Sequence, residues 1–199
     1  MRNQSVTLGL LQQSRNKSLE QNLEATIREI KESARKGAQI ICLQELFRSR
    51  YFCQSENSNE FKLSETIPGP TTNVLSNLAK ELKVVIISPL FEKRTEGIYH
   101  NSAVVIDADG SIVGSYRKMH IPDDPYFYEK FYFTPGDKGF KSFPTRYGRV
   151  GILICWDQWF PEAARLVTLS GAQFIFYPTA IGYSDSDSID ASRQIAAWE

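Results

Sequence analysis

The 199-residue chain is short of several things, and each shortage excludes something. Its cysteines are few, Cys42, Cys53 and Cys155, an odd number without zinc-site spacing, so neither a disulfide framework nor a structural metal module is expected. It has no excess charge of either sign. With 23 Lys plus Arg against 23 Asp plus Glu, no overall field draws it to nucleic acid or to an anionic membrane. No apolar run approaches the roughly 18 residues of a membrane span, and the apolar stretch 6–11 is too brief for a signal peptide, which makes the cytoplasm the expected compartment. Internal repeats and domain linkers are also lacking, so residues 1–199 read as a single domain, and 184–188 as a small polar loop.

What the chain does have is alternation of apolar patterns. Val6, Leu8 and Leu10 alternate with Thr7 and Gly9, as in a half-buried strand. From 16 to 36 the residues Leu19, Leu23, Ile27, Ile30 and Ala34 recur at steps of three and four, and Gly37 stands where such a helix stops. The apolar run 38–44 predicts a buried strand ending at Glu45. An irregular loop, 46–70, precedes a helix capped by Thr71 or Thr72 with Val74, Leu75, Leu78 and Leu82 inward, and then a strand over 84–88. Runs 98–106 and 111–118 flank Asp107-Ala-Asp-Gly110, a turn suited to a β-hairpin that ends at Lys118. After a proline-punctuated loop come a strand over 149–155, a helix over 161–169 opened by Pro161, and a strand over 173–177. Strands alternating with helices predict an α/β fold, in one sheet or in two.

Glu45, Lys118 and Cys155 each fall at the predicted carboxyl end of a strand, where open α/β sheets gather their sites. A cysteine between strand and helix lies near the positive end of the helix dipole, which favours thiolate. Each residue also has a plainer reading: Cys155 as a small core residue, Glu45 as a strand-end acid, Lys118 as a solvated surface charge, Glu129 as a solvated loop acid. The residue types alone leave both readings open. A carboxylate able to take a thiol proton and a lysine able to steady an oxyanion are the partners that cysteine chemistry requires.

The segments Leu43-Gln-Glu-Leu-Phe, Tyr116-Arg-Lys-Met-His-Ile-Pro, Tyr128-Glu-Lys-Phe-Tyr-Phe-Thr-Pro-Gly-Asp and Ile154-Cys-Trp-Asp-Gln-Trp-Phe-Pro-Glu-Ala resemble nitrilase-superfamily motifs in order and spacing. Tyr177-Pro-Thr-Ala-Ile-Gly adds to the likeness, which covers nearly the whole chain. The resemblance implies an α-β-β-α sandwich and a cysteine-dependent hydrolase of carbon–nitrogen bonds acting on a small carbamoylated amine. It implies Glu45 as general base, Lys118 as oxyanion partner, Cys155 as nucleophile, Glu129 as the acid that orients the lysine, and the Trp156 backbone N–H as second oxyanion donor. It implies no metal or organic cofactor, and homo-oligomers in full-length relatives. Family members continue well past Ala197-Trp-Glu199, so the sandwich is expected to be truncated at its C-terminus and the isolated chain to be unstable or aggregation-prone. The alternatives are another carbamoyl or ω-amide hydrolase of the same superfamily, or an inactive chain serving as an interaction subunit.

Other residues carry weaker expectations. His120 is either a second partner of Lys118 or structural, and His100 has no supporting context. Asp123 and Asp124 either attract a diamine's distal ammonium or solvate a turn. Trp156, Trp159 and the aromatics of 126–133 either wall a narrow channel or simply pack. Cys42 reads as core; Cys53 sits in a loop and has no assigned role.

Overall fold

Both faces of the central strands are apolar, and the fold explains why. The computed structural model describes residues 5–15, 18–182, 192–193 and 196, so the expected helix start at Asn16 and the loop 184–188 lie outside the described residues. Strands β1 (Leu8–Leu10), β2 (Ile40–Cys42), β3 (Val85–Thr95), β4 (Ile98–Ile106) and β5 (Ile112–Arg117) form one five-stranded sheet in that order. β1, β2 and β3 run parallel, whereas β3–β4 and β4–β5 are antiparallel. A second sheet of three strands contains β6 (Ser142–Thr145), β7 (Gly148–Ile152) and β8 (Phe174–Phe176). The question of one sheet or two is thus answered as two.

Alternate residues of the same strands feed different cores. Ile40, Val85, Ile87, Ala103, Val105 and Tyr116 face the second sheet, where they meet Phe143, Val150, Ile152 and Phe176. Ile41, Ile86, Val104 and Ile106 face outward onto Ile30 of α1 (Leu19–Arg35) and Leu75, Leu78 and Ala79 of α2 (Pro70–Leu82). On the far side, α4 (Pro161–Leu169) covers the second sheet through Ala163 and Val167. The layers are therefore α-β-β-α, as the family resemblance implied. A strand buried on both faces loses the simple apolar–polar alternation of a half-exposed one, which is the pattern 84–88 and 103–106 show.

Local chemistry sets the element ends. Ser18 caps α1 by accepting from Gln21 N, while the Gln21 side chain accepts from Ser18 N. The expected Thr71 or Thr72 cap of α2 is replaced: Gly69 is the N-cap and Pro70 the first helical residue, because proline suits the first turn and needs no N–H partner there. Thr72 Oγ1 instead accepts from Gly69 N, and Thr71 N donates to Glu65 Oε2. The loop 46–70 contains a 3₁₀ helix, Ser58–Leu63, absent from the sequence reading. Its Phe61 joins a cluster with Phe91, Tyr99 and Tyr132. Among the described residues, no helix is long and apolar enough to cross a membrane.

Candidate active site

The ends of β2, β5 and β7 converge where the two sheets meet. Glu45 lies three residues beyond β2, Lys118 directly follows β5, and Cys155 lies three beyond β7. Lys118 and Glu129 are fully buried, Glu45 is 2% exposed and Cys155 6%. The solvated readings of Lys118 and Glu129 are therefore corrected. Glu129 lies in a short helix, α3 (Glu129–Tyr132), not in a loop.

Lys118 Nζ donates to Glu45 Oε1 at 3.0 Å and to Glu129 Oε1 and Oε2 at 2.9 and 2.8 Å. Burial disfavours the ammonium, but the charges of Glu45 and Glu129 outweigh it and hold the lysine well above its ordinary range. Burial, aided by Glu45, raises Glu129 against the pull of Lys118. Tyr51 OH donates to Glu129 Oε1 at 2.7 Å, a second donor to the oxygen that Lys118 also bonds.

Cys155 departs from expectation in its electrostatics. β7 ends at Ile152, and Cys155 opens a 3₁₀ helix (Cys155–Trp159), so the N-terminus of α4 lies further along the chain. Burial first, then the charge of Glu45, push the thiol well above its usual range, and Lys118 only partly offsets them. The resting state is a thiol beside the Glu45 carboxylate, and the expectation of a helix-stabilised thiolate is corrected. Its backbone is left-handed, φ 47°, a conformation that costs a non-glycine residue about 1–3 kcal/mol. Cys155 N donates to Pro178 O at 3.0 Å, and the same segment brings Ala180 N to Glu45 Oε2 at 2.7 Å. Trp156 follows directly inside that 3₁₀ helix.

The sequence reading missed several participants. Asn101 donates through Nδ2 to Glu45 Oε1 at 2.7 Å. Its only mark in sequence is polarity on a strand otherwise apolar on that face. Asp157, fully buried, accepts from Tyr116 OH at 2.8 Å, Ile154 N at 2.8 Å and both the backbone N and Nδ1 of His120 at 3.1 and 2.7 Å. It ties the segment after Lys118 to the turn that carries Cys155. His120 thus serves Asp157, not Lys118, and stacks on Phe160 with centroids 3.6 Å apart. His100 Nδ1 hydrogen-bonds Thr134 O at 2.8 Å, a structural role.

The aromatic residues divide. Tyr132 and Phe133 pack with Phe52 and Phe91, so packing is the right reading for them, whereas Tyr126, Phe131 and Trp159 are exposed. Tyr51 lies 5.8 Å from the Phe127 ring. Asp123 and Asp124 are exposed, and Asp124 O accepts from Phe127 N. Cys42 is buried core, its thiol pushed up to about 12 by burial, and Cys53 is likewise fully buried. Among the described residues, no cluster of His, Cys, Asp and Glu could hold a metal ion.

An α-β-β-α fold with a carboxylate, a lysine and a cysteine gathered at the sheet ends defines a class, and the chain belongs to it: the carbon–nitrogen hydrolase family, whose model matches residues 7–198. It is 48% identical over 187 residues to an N-carbamoylputrescine amidase of Solanum lycopersicum, covering 94% of this chain and 62% of that protein. It is 45% identical over 196 residues to a citrullinase of Francisella tularensis, covering 96% of this chain and 68% of that one. A carbon–nitrogen hydrolase from Helicobacter pylori superposes with a TM-score of 0.91 at 47% identity, covering 97% of this chain and 66% of its own. Nit3 of Saccharomyces cerevisiae, from branch 10 of the nitrilase superfamily, superposes at 0.74 with 26% identity, covering 89% and 65%. The chain thus spans a little under two thirds of the length of the tomato amidase and of the Helicobacter structure.

Proposed function

We propose that the chain carries the site of a cysteine-dependent amidohydrolase that cleaves the terminal ureido group of a small amine, with N-carbamoylputrescine as substrate. One observation carries the reading: a single buried carboxylate, Glu45, bonds a charged lysine and stands close enough to the Cys155 thiol for its charge to oppose ionisation there. A thiol held above its usual range is a poor nucleophile alone, so proton transfer to Glu45 accompanies attack on the carbonyl carbon. Lys118 and the Trp156 backbone N–H receive the developing oxyanion, and Glu129 keeps the lysine charged and aimed. Collapse returns the proton from Glu45 to the leaving nitrogen, which departs as ammonia and leaves a carbamoyl thioester. Water, deprotonated by Glu45, then attacks that thioester; the thiol is restored, and the released carbamate falls apart to carbon dioxide and the diamine putrescine.

Similarity supports the substrate. N-carbamoylputrescine and citrulline both end in a ureido group, and the proteins named for them are 48% and 45% identical to this chain. Ammonia release should be measured with N-carbamoylputrescine, citrulline and carbamoyl-β-alanine. The expected order puts N-carbamoylputrescine first, and Cys155→Ser should abolish turnover. Preference for citrulline would move the reading to the second relative's substrate. Silence with all three, or full turnover by Cys155→Ser, would overturn it in favour of an inactive chain or another nucleophile.

A further inference from the structure

We propose that Asn101 is the positioning residue that locks the Glu45 carboxylate and assigns the thiol proton to one of its oxygens, an inference that rests on the reading of Glu45 and Cys155 given above. On β4, Asn101 shares a strand face with Ala103 and Val105, both part of the apolar core between the sheets. It is nevertheless fully buried and polar. A position held for packing alone would carry another apolar side chain, as its neighbours on that face do.

What the amide does there is specific. Nδ2 donates to Glu45 Oε1 at 2.7 Å, and Lys118 Nζ donates to the same oxygen at 3.0 Å. A carboxylate oxygen has two lone pairs, so Oε1 is fully engaged. Oε2 accepts from Ala180 N at 2.7 Å and keeps one lone pair free of those donors. The thiol proton therefore goes to Oε2. Lys118 alone would not hold this arrangement, because its flexible ammonium is shared with Glu129 and the terminal carboxylate torsion of glutamate is soft. The planar amide on a strand paired on both sides, between β3 and β5, does hold it. Asn101 acts through its main chain as well, its carbonyl accepting from Lys118 N at 2.8 Å. One residue thus sets the base and the start of the lysine together. Asn101 Oδ1 has no partner among the described residues, which marks the amide as kept for its N–H end.

The test uses the 199-residue chain with Asn101→Ala, Asn101→Asp and, as a structural control from the same buried strand, Ser102→Ala, whose hydroxyl bonds Glu92. Cys155 alkylation by iodoacetamide is followed by peptide mass spectrometry from pH 5 to 9, with kcat and KM for ammonia release. Asn101→Ala should lower kcat at least tenfold with KM within twofold, and slow alkylation at every pH. Asn101→Asp offers a donor to Glu45 only while it carries a proton, so its rates should approach wild type at the acid end and fall at least tenfold behind at pH 8. Ser102→Ala should lower Tm without changing either profile. The proposal is overturned if the Asn101 variants match Ser102→Ala, with a lower Tm and unchanged profiles. If instead Glu45→Gln alkylates like wild type and Cys155→Ser retains turnover, the reading of the site itself has failed, separately from this inference.

Discussion

Lys118 is a charge removed from water with two carboxylates and the Cys155 thiol for company. Replacing it with methionine leaves Glu45 and Glu129 buried side by side without a counter-ion, the kind of break that costs about 3–5 kcal/mol. The cost has a predictable sign with pH. Glu129 is already raised by burial, and loss of Lys118 raises it further, so its folded-state affinity for protons exceeds that of the unfolded chain. Such a group stabilises the fold at low pH and loses that contribution as pH rises through its folded value. The Tm gap between wild type and Lys118→Met should therefore be wider at pH 8 than at pH 5 by calorimetry; an equal gap would mean that the carboxylates find other partners. The residues of this ion cluster were legible in the sequence only as members of extended motifs, since each residue type by itself pointed as readily to core or surface. Asn101 and Asp157 were not legible, because what gives them meaning is a partner brought close by folding: Glu45 for the first, Tyr116 and His120 for the second.

Among the elements, the β3–β4–β5 meander bears the heaviest electrostatic load. Glu92 on β3 accepts from Arg117 Nε and Nη2 on β5 at 2.9 and 2.6 Å, and Arg117 Nη1 reaches Asp137 Oδ1 at 2.8 Å. Arg94 holds the other Asp137 oxygen at 2.6 Å. Arg117 immediately precedes Lys118, so this network anchors the strand end from which the lysine projects. The Arg117 guanidinium, with Arg94, holds the Asp137 carboxyl down at about 2. A depressed carboxyl contributes stability above its unfolded value and loses it as pH falls toward its folded one. Asp137→Asn should lower Tm at pH 6, and the difference from wild type should shrink between about pH 4 and pH 2. A difference constant across that window would show that shape, not charge, holds the segment. Gly136 makes the approach possible, since a Cβ there would stand 2.0 Å from Arg117 O. The hairpin was legible from its Asp107-Ala-Asp-Gly110 turn, but the full length of β3 was not, because Pro89 and the charged run Glu92-Lys-Arg read as the end of a strand.

At the scale of the molecule, the two sheets contribute unequally and jointly. Glu45, Lys118 and Asn101 belong to the ends and interior of the larger sheet, and Cys155 to the smaller. Only their docking through Ile152, Val150, Val105 and their neighbours brings the Cys155 thiol to the Glu45 carboxylate. Ile152→Ala, at a fully buried position between the sheets, should cost about 2–5 kcal/mol in urea unfolding. The layer order was legible through the family motifs. The number of sheets was not, because apolar periodicity records that a strand is covered without recording what covers it.

The left-handed, deeply buried setting of Cys155 has a consequence for survival as well as for chemistry. Peroxide attacks thiolates in proportion to their population and exposure. A thiol kept protonated by burial and by two neighbouring carboxylates offers little of either, whereas the same cysteine in an unfolded chain returns to an ordinary exposed thiol. The packing that makes Cys155 reluctant to ionise therefore also shields it from sulfenic and sulfinic damage, and loss of sheet docking would expose it to oxidation.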